Sequence, residues 1–157
     1  MKNAFEYAMQ MELESDKLYR DMAHHESDER IKAVLTMLAD EEVKHYKAFK
    51  KMAETSDASD FDHFDISETV KKIFSGIKED KKPYHFSGAQ VEFYHKATEI
   101  EDKAYEFYMQ KAEEATDPNV KKAFLKIASE EKKHHELMEN LAAFVAEPES
   151  WLESAEF

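Results

Sequence analysis

A Glu-x-x-His pattern recurs at matching positions in the two halves of the sequence, as Glu42-Val-Lys-His45 and Glu131-Lys-Lys-His134. On an α-helix, residues three apart lie on the same face, so each copy presents a carboxylate and an imidazole side by side. Oxygen and nitrogen donors in this combination bind transition metals such as iron, manganese and zinc. The pattern therefore suggests a metal site.

One Glu-x-x-His pattern alone would carry little weight, because 24 Glu and 8 His produce it about once by chance. Glu92-Phe-Tyr-His95 is an isolated occurrence of this kind. The other two copies each follow a predicted helix that carries a further glutamate at the matching position. The predicted ligands of a dinuclear centre are Glu12, Glu42, His45, Glu101, Glu131 and His134.

Helical periodicity assigns all six of these residues to apolar stripes. A buried carboxylate is costly unless it is paired or neutralised, and no lysine or arginine lies on the same stripes. Two divalent cations would balance four carboxylates, with both imidazoles neutral. The alternative is a buried polar network satisfied by its own hydrogen bonds.

The chain contains an internal repeat. A shift of 89 positions aligns residues 1–54 with residues 90–143 without a gap, and 12 of the 54 aligned pairs are identical. Each copy predicts two amphipathic helices joined by a polar break. In the second copy, Asp117 is placed to cap the helix that Pro118 begins.

Two such hairpins bury their stripes best against each other, which predicts an all-α four-helix bundle with a long crossover. We expect the bundle to span residues 1–147. The crossover, residues 55–89, is expected to contain a short helix of its own. The tail, residues 148–157, contains Trp151, Leu152 and Phe157, which would dock on the bundle or on a partner.

Two other repeated pairs flank the predicted ligands. Tyr19 and Tyr108 each lie seven residues after a predicted ligand, two turns along the same face. They are predicted either to pack in the core or to donate hydrogen bonds to ligand carboxylates. Glu41 and Glu130 lie four residues before the histidines and are rival ligands, but the periodicity favours Glu42 and Glu131. We therefore expect Glu41 and Glu130 to be solvated or to support the ligands through hydrogen bonds.

The remaining histidines have no repeated counterpart and are predicted to lie on the surface: His24, His25, His63, His85 and His135.

The composition argues against several classes of binding partner and catalytic site. The 35 acidic residues outnumber the 22 basic ones, so the surface is expected to repel nucleic acid and anionic lipid. The absence of cysteine rules out thiol catalysis and a cysteine-ligated iron centre in these residues. There is neither a secretory signal pattern nor an apolar run long enough to span a membrane. The expected location is the cytoplasm.

In these residues and their spacing, the sequence resembles the rubrerythrin-type members of the ferritin-like superfamily. The resemblance rests on the six predicted ligands and covers both hairpins. It implies a ferritin-like bundle holding two iron ions, with Glu42 and Glu131 as bridging ligands. By the same resemblance Glu12, Glu101 and the two histidines would be terminal ligands. The implied activities are reduction of hydrogen peroxide, reaction with dioxygen and oxidation of ferrous iron.

The sequence departs from the rubrerythrin pattern at two points. Rubrerythrin has a further glutamate three residues after the ligand on the third helix, where this chain has Ala104. There is also no cysteine to build a rubredoxin domain, so an external donor such as a rubredoxin would have to supply electrons.

Three functions fit the sequence. The first is a di-iron oxidoreductase, expected to be a homodimer, that reduces hydrogen peroxide or dioxygen. The second is ferritin-like oxidation and storage of iron, which requires a hollow shell of many copies. The third is a metal-binding sensor module without turnover. Manganese or zinc could replace iron in each of them.

Overall fold

The computed structural model describes residues 1–55, 57–58, 66–80 and 88–147, with side chains described from residue 91 onward in the last range. The described residues form helices and no strand. The five helices are α1 (Lys2–His25), α2 (Glu29–Thr55), α3 (Ser67–Asp80), α4 (Gly88–Glu114) and α5 (Pro118–Ala146).

Four of these helices form the bundle. Helices α1 and α2 pack along each other as one hairpin, α4 and α5 as the other, and α1 packs against α4. Helix α2 faces α5 through side chains, as the rings of Phe49 and Phe124 show with centroids 5.6 Å apart. The backbones of α2 and α5 approach each other less closely than those of the hairpin partners. The predicted all-α ferritin-like bundle of two repeated hairpins is confirmed.

Aspartates begin the second helix of each hairpin. The Asp117 carboxylate accepts a 2.8 Å hydrogen bond from the backbone N–H of Asn119, and Pro118 is the first residue of α5. At the matching position before α2, Asp28 accepts from the backbone N–H of Arg30 at 2.8 Å. These bonds satisfy N–H groups that have no partner within the helix. The repeat thus fixes both helix starts at equivalent points.

The bundle core consists of two apolar clusters. The first, which we call the Leu38 cluster, also contains Met138 and the α3 side chain of Phe74. The second, the Phe124 cluster, also contains Phe5 and Phe49. On each of the four bundle helices the predicted ligands lie between residues of the two clusters. A layer of charged side chains therefore separates two apolar layers.

Helix α3 lies within the crossover. Its buried residues Val70, Phe74 and Ile77 belong to the Leu38 cluster, and Arg30 Nη1 on α2 bonds Asp80 Oδ2 at 3.1 Å. The short helix thus closes the bundle next to the start of α2. The predicted docking of the tail by Trp151, Leu152 and Phe157 lies outside the described residues.

Among the described helices, none combines the length and the apolar character needed to cross a membrane.

Candidate metal centre

All four bundle helices contribute to one buried polar cluster. Helices α1 and α4 each supply one glutamate, and α2 and α5 each supply one Glu-x-x-His pair. Of the six side chains, His134 is the most exposed, at 4%, so water does not solvate them as it would on a surface. The structure brings together Glu12, Glu42, His45, Glu101, Glu131 and His134.

The cluster divides into two groups that could each hold a cation. One consists of Glu12, Glu42, His45 and Glu131, and the other consists of Glu42, Glu101, Glu131 and His134. Within each group, one ligand atom from every residue lies within 4.8 Å of the others. Glu42 and Glu131 belong to both groups. This is the arrangement expected where two carboxylates connect neighbouring cations.

The histidines contact carboxylates of the opposite hairpin. His45 Nδ1 lies 2.9 Å from Glu131 Oε1, and His134 Nδ1 lies 2.8 Å from Glu42 Oε1. The two rings are stacked with centroids 6.0 Å apart. Each Glu-x-x-His pair therefore completes the surroundings of the other, and neither hairpin contains a full set of donors.

The two tyrosines also reach across the bundle. Tyr19 donates a 2.5 Å hydrogen bond to Glu101 Oε1, and Tyr108 donates a 2.6 Å bond to Glu12 Oε1. Both phenols are buried, at 1% and 0% exposure. Burial first, and then the charge of the bonded glutamate, raises the pKa of each phenol well above its usual value. The phenols are therefore proton donors that hold one oxygen of each carboxylate in place.

The metal-free cluster shares protons unevenly. Burial and then the nearby Glu101 and Glu12 raise the pKa of Glu42 well above the ordinary glutamate value, and the pKa of Glu131 rises for the same reasons. Burial opposes charge on His45 and Glu12 as well, but their mutual attraction prevails. The pKa of His45 rises to about 10, and that of Glu12 falls to about 2.

His134 differs from His45. Burial lowers the pKa of His134, although the charge of Glu101 opposes the change. Its ring is therefore neutral at neutral pH, the form in which imidazole binds metals.

The four glutamates of the cluster retain oxygen atoms that form no hydrogen bond within the described part of the chain: Oε2 of Glu12, Glu42, Glu101 and Glu131. Buried acceptors of this kind are costly in a native protein. Neither lysine nor arginine forms an ion pair with these four residues among the described side chains. Two divalent cations would satisfy these oxygens and balance the four charges, so the residues fit a dinuclear metal centre.

Glu41 and Glu130 are buried, at 2% and 9% exposure, which contradicts the expectation of solvated side chains. The helical stripe predicted that only Glu42 and Glu131 of the repeated Glu-Glu pairs face the interior, but the residues before them are buried as well. Glu130 Oε2 lies 2.7 Å from His45 Nε2, which supports the alternative prediction of a hydrogen-bonding role. Glu41 joins His45 and Glu130 in a third group of close donors.

The other candidates lie away from the cluster. His24, His25 and both residues of the isolated pair, Glu92 and His95, are exposed, and His135 is partly exposed. His63 and His85 lie outside the described residues. The Ala104 side chain is buried and belongs to the Phe124 cluster, so an apolar side chain occupies the place of the extra rubrerythrin glutamate.

Sequence comparison agrees with this geometry. The family model described as Rubrerythrin matches residues 3–142, which cover nearly all of both hairpins and include all six clustered residues. No curated protein and no solved structure is similar enough to this chain to count as a match.

Proposed function

Since the chain belongs to the rubrerythrin family, we propose that it is a di-iron carboxylate oxidoreductase that reduces hydrogen peroxide or dioxygen. The observation that carries this proposal is the pair of donor groups that share Glu42 and Glu131. Two adjacent positions joined by carboxylates suit a reaction that needs two electrons at one place. When bound, the iron pair would supply those electrons.

The residues that would hold the irons follow from the two groups. Glu12 and His45 would bind one iron, Glu101 and His134 would bind the other, and Glu42 and Glu131 would bridge them. Carboxylates can change between one-oxygen and two-oxygen binding, which accommodates a change in metal charge. The oxygen and nitrogen donors also suit manganese and zinc, so iron is part of the proposal.

The surrounding side chains would control proton and water access. Tyr19 and Tyr108 orient the terminal carboxylates and keep their protons, because their pKa values are raised. The Leu38 and Phe124 clusters cover the polar layer from both sides. A dry interior of this kind limits side reactions of a reactive oxidant.

The experiment is anaerobic loading with ferrous iron, followed by rapid mixing with hydrogen peroxide or dioxygen. We expect fast oxidation of two irons per chain and repeated turnover when a reductant such as reduced rubredoxin is added. Glu42→Gln, which removes a shared carboxylate, should abolish turnover. Leu125→Ala, which changes an exposed side chain on α5, is the control and should leave turnover unchanged.

The same experiment separates the alternatives. Oxidation of many irons per chain, in a large shell, would support storage. Iron that binds but does not react with either oxidant would support a sensor module. We propose a homodimer in the cytoplasm on composition and resemblance, and size-exclusion chromatography with light scattering tests the dimer against a shell.

A further inference from the structure

His45 forms hydrogen bonds through both of its ring nitrogens. Nδ1 points into the centre, 2.9 Å from Glu131 Oε1. Nε2 points away from it, 2.7 Å from Glu130 Oε2. At 1% exposure for His45 and 9% for Glu130, both partners of the Nε2 bond are buried. The ring of His45 is therefore held at both ends by α5.

The repeat does not reproduce this bond in its other half. The shift of 89 positions pairs His45 with His134 and Glu130 with Glu41. Glu41, however, lies in the group of His45 and Glu130. His134 bonds Glu42 through Nδ1, and within the described residues its Nε2 has no hydrogen bond. Two equivalent halves of the sequence thus give two different histidine environments.

A carboxylate on the outer nitrogen changes what an imidazole can do for a cation. When one ring nitrogen binds a metal, the other carries a proton and donates it to a neighbouring acceptor. The acceptor fixes the tautomer and the ring orientation and makes the inner nitrogen a better donor. For His45 this acceptor is Glu130, already at hydrogen-bond distance.

We propose that Glu130 is a positioning residue for His45 and makes the two cation positions unequal. The position formed by Glu12, Glu42, His45 and Glu131 would bind its cation more tightly and fill first. This inference rests on the proposed metal centre and adds an order of filling to it.

The test is a titration of the metal-free full chain with Co²⁺, followed by absorbance, and with Zn²⁺, followed by calorimetry. We expect two steps for the unmodified chain. Glu130→Ala should weaken one step by about 10–100-fold, the usual cost of losing an outer hydrogen-bond partner of a ligand, and leave the other unchanged. Glu130→Gln should be intermediate because its amide oxygen still accepts from Nε2. Leu125→Ala, which changes an exposed side chain on the same helix, is the control and should leave both steps in place.

Two backgrounds assign the affected step. In His45→Ala the further change Glu130→Ala should have no effect on the remaining step. In His134→Ala it should retain its full effect. Equal weakening of both steps, no weakening, or an undiminished effect in His45→Ala would overturn the proposal.

Nitrogen-15 spectra of the zinc-loaded chain give a readout independent of folding losses. We expect a proton on His45 Nε2 that exchanges slowly with water, and faster exchange of this proton in Glu130→Gln. A proton on Nδ1 instead would overturn the proposal. If the unmodified chain binds no cation pair, the proposed function fails. If the unmodified chain binds two cations and Glu130→Ala binds them with the same affinities, only this inference fails.

Discussion

The phenol of Tyr108 donates a 2.6 Å hydrogen bond to Glu12 Oε1, although the two residues are 96 positions apart. Its repeat counterpart, Tyr19, donates to Glu101 over 82 positions. Each tyrosine therefore bonds the glutamate of the opposite hairpin instead of the one on its own helix. The two bonds join α1 and α4 at the level of the centre.

Replacing one of these tyrosines by phenylalanine should lower the stability of the protein without creating a cavity in the core. Tyr108→Phe removes the bond but keeps the ring, so we expect a loss of about 1–3 kcal/mol in the free energy of unfolding. Chemical denaturation of the metal-free protein measures it. Tyr7→Phe is the control, since Tyr7 is 56% exposed, and it should change stability by about 0.5 kcal/mol or less. A double-mutant cycle should give stronger coupling of Tyr108→Phe to Glu12→Gln than to Glu101→Gln; the reverse would contradict the assigned bond.

The shared and unshared glutamates should differ in their effects on metal binding. Glu131 belongs to both donor groups, whereas Glu101 belongs to one. We expect Glu131→Gln to weaken both zinc equivalents and Glu101→Gln to weaken one, in each case by more than about tenfold. Isothermal titration calorimetry counts the affected equivalents. Two full-affinity equivalents in Glu131→Gln would show that the ligand assignment is wrong.

The metal-free protein should lose stability as the pH rises above neutrality. The pKa values of Glu42 and Glu131 are raised by burial and by neighbouring carboxylates. Their contribution to stability is full below the unfolded pKa of about 4.3 and is lost as the pH rises through the folded values. His45, whose pKa is raised to about 10, acts in the same direction above its unfolded pKa of about 6.5. His134 acts in the opposite direction because its pKa is lowered. Its gain in stability with pH is complete at the unfolded histidine pKa of about 6.5, so it does not offset the fall above that pH.

Glu12 should not contribute to this fall. Its pKa is lowered to about 2, so its contribution is lost only as the pH falls through that value.

Cation binding displaces protons from the centre, so the rise in Tm on adding zinc should grow with pH. Calorimetry of chelator-treated and zinc-loaded protein between about pH 6 and about pH 9 measures both trends. A metal-free Tm that increases over this range would contradict the protonation pattern.

The aromatic packing beside the centre should make a large contribution to the free energy of unfolding. The buried ring of Phe124 contacts Phe5, Phe49 and Tyr108, with centroids 5.6–6.1 Å apart. Phe124→Ala should cost about 3–5 kcal/mol because it removes the ring and leaves a cavity. The adjacent Leu125 is 40% exposed, so Leu125→Ala should cost about 1 kcal/mol or less. Comparable losses in denaturant unfolding of the two variants would contradict this account of the core.

Much of the fold could be predicted because periodicity and repetition act together. The six cluster residues lie on apolar stripes, and the same spacing occurs in both halves, so their convergence follows from packing two hairpins. Which tyrosine meets which glutamate could not be predicted. Spacing along a helix places a residue on a face, but the crossing of Tyr19 to Glu101 depends on how neighbouring helices are arranged in space.

Burial outside the stripes was the other part that spacing could not supply. Glu41 and Glu130 are buried next to His45, and this contact between helices cannot be read from the spacing along either helix. Glu26 lies in the connection between α1 and α2, yet it is buried and accepts a 3.2 Å hydrogen bond from Tyr94 on α4. No local pattern joins these two residues, which are 68 positions apart.

The equal division of donors between the hairpins ties metal binding to the pairing of the two halves. Each hairpin contributes two glutamates and one histidine of the cluster, so a pair of cations would be held only while both hairpins stay packed together. Separation of the halves and release of the cations would then be a single event.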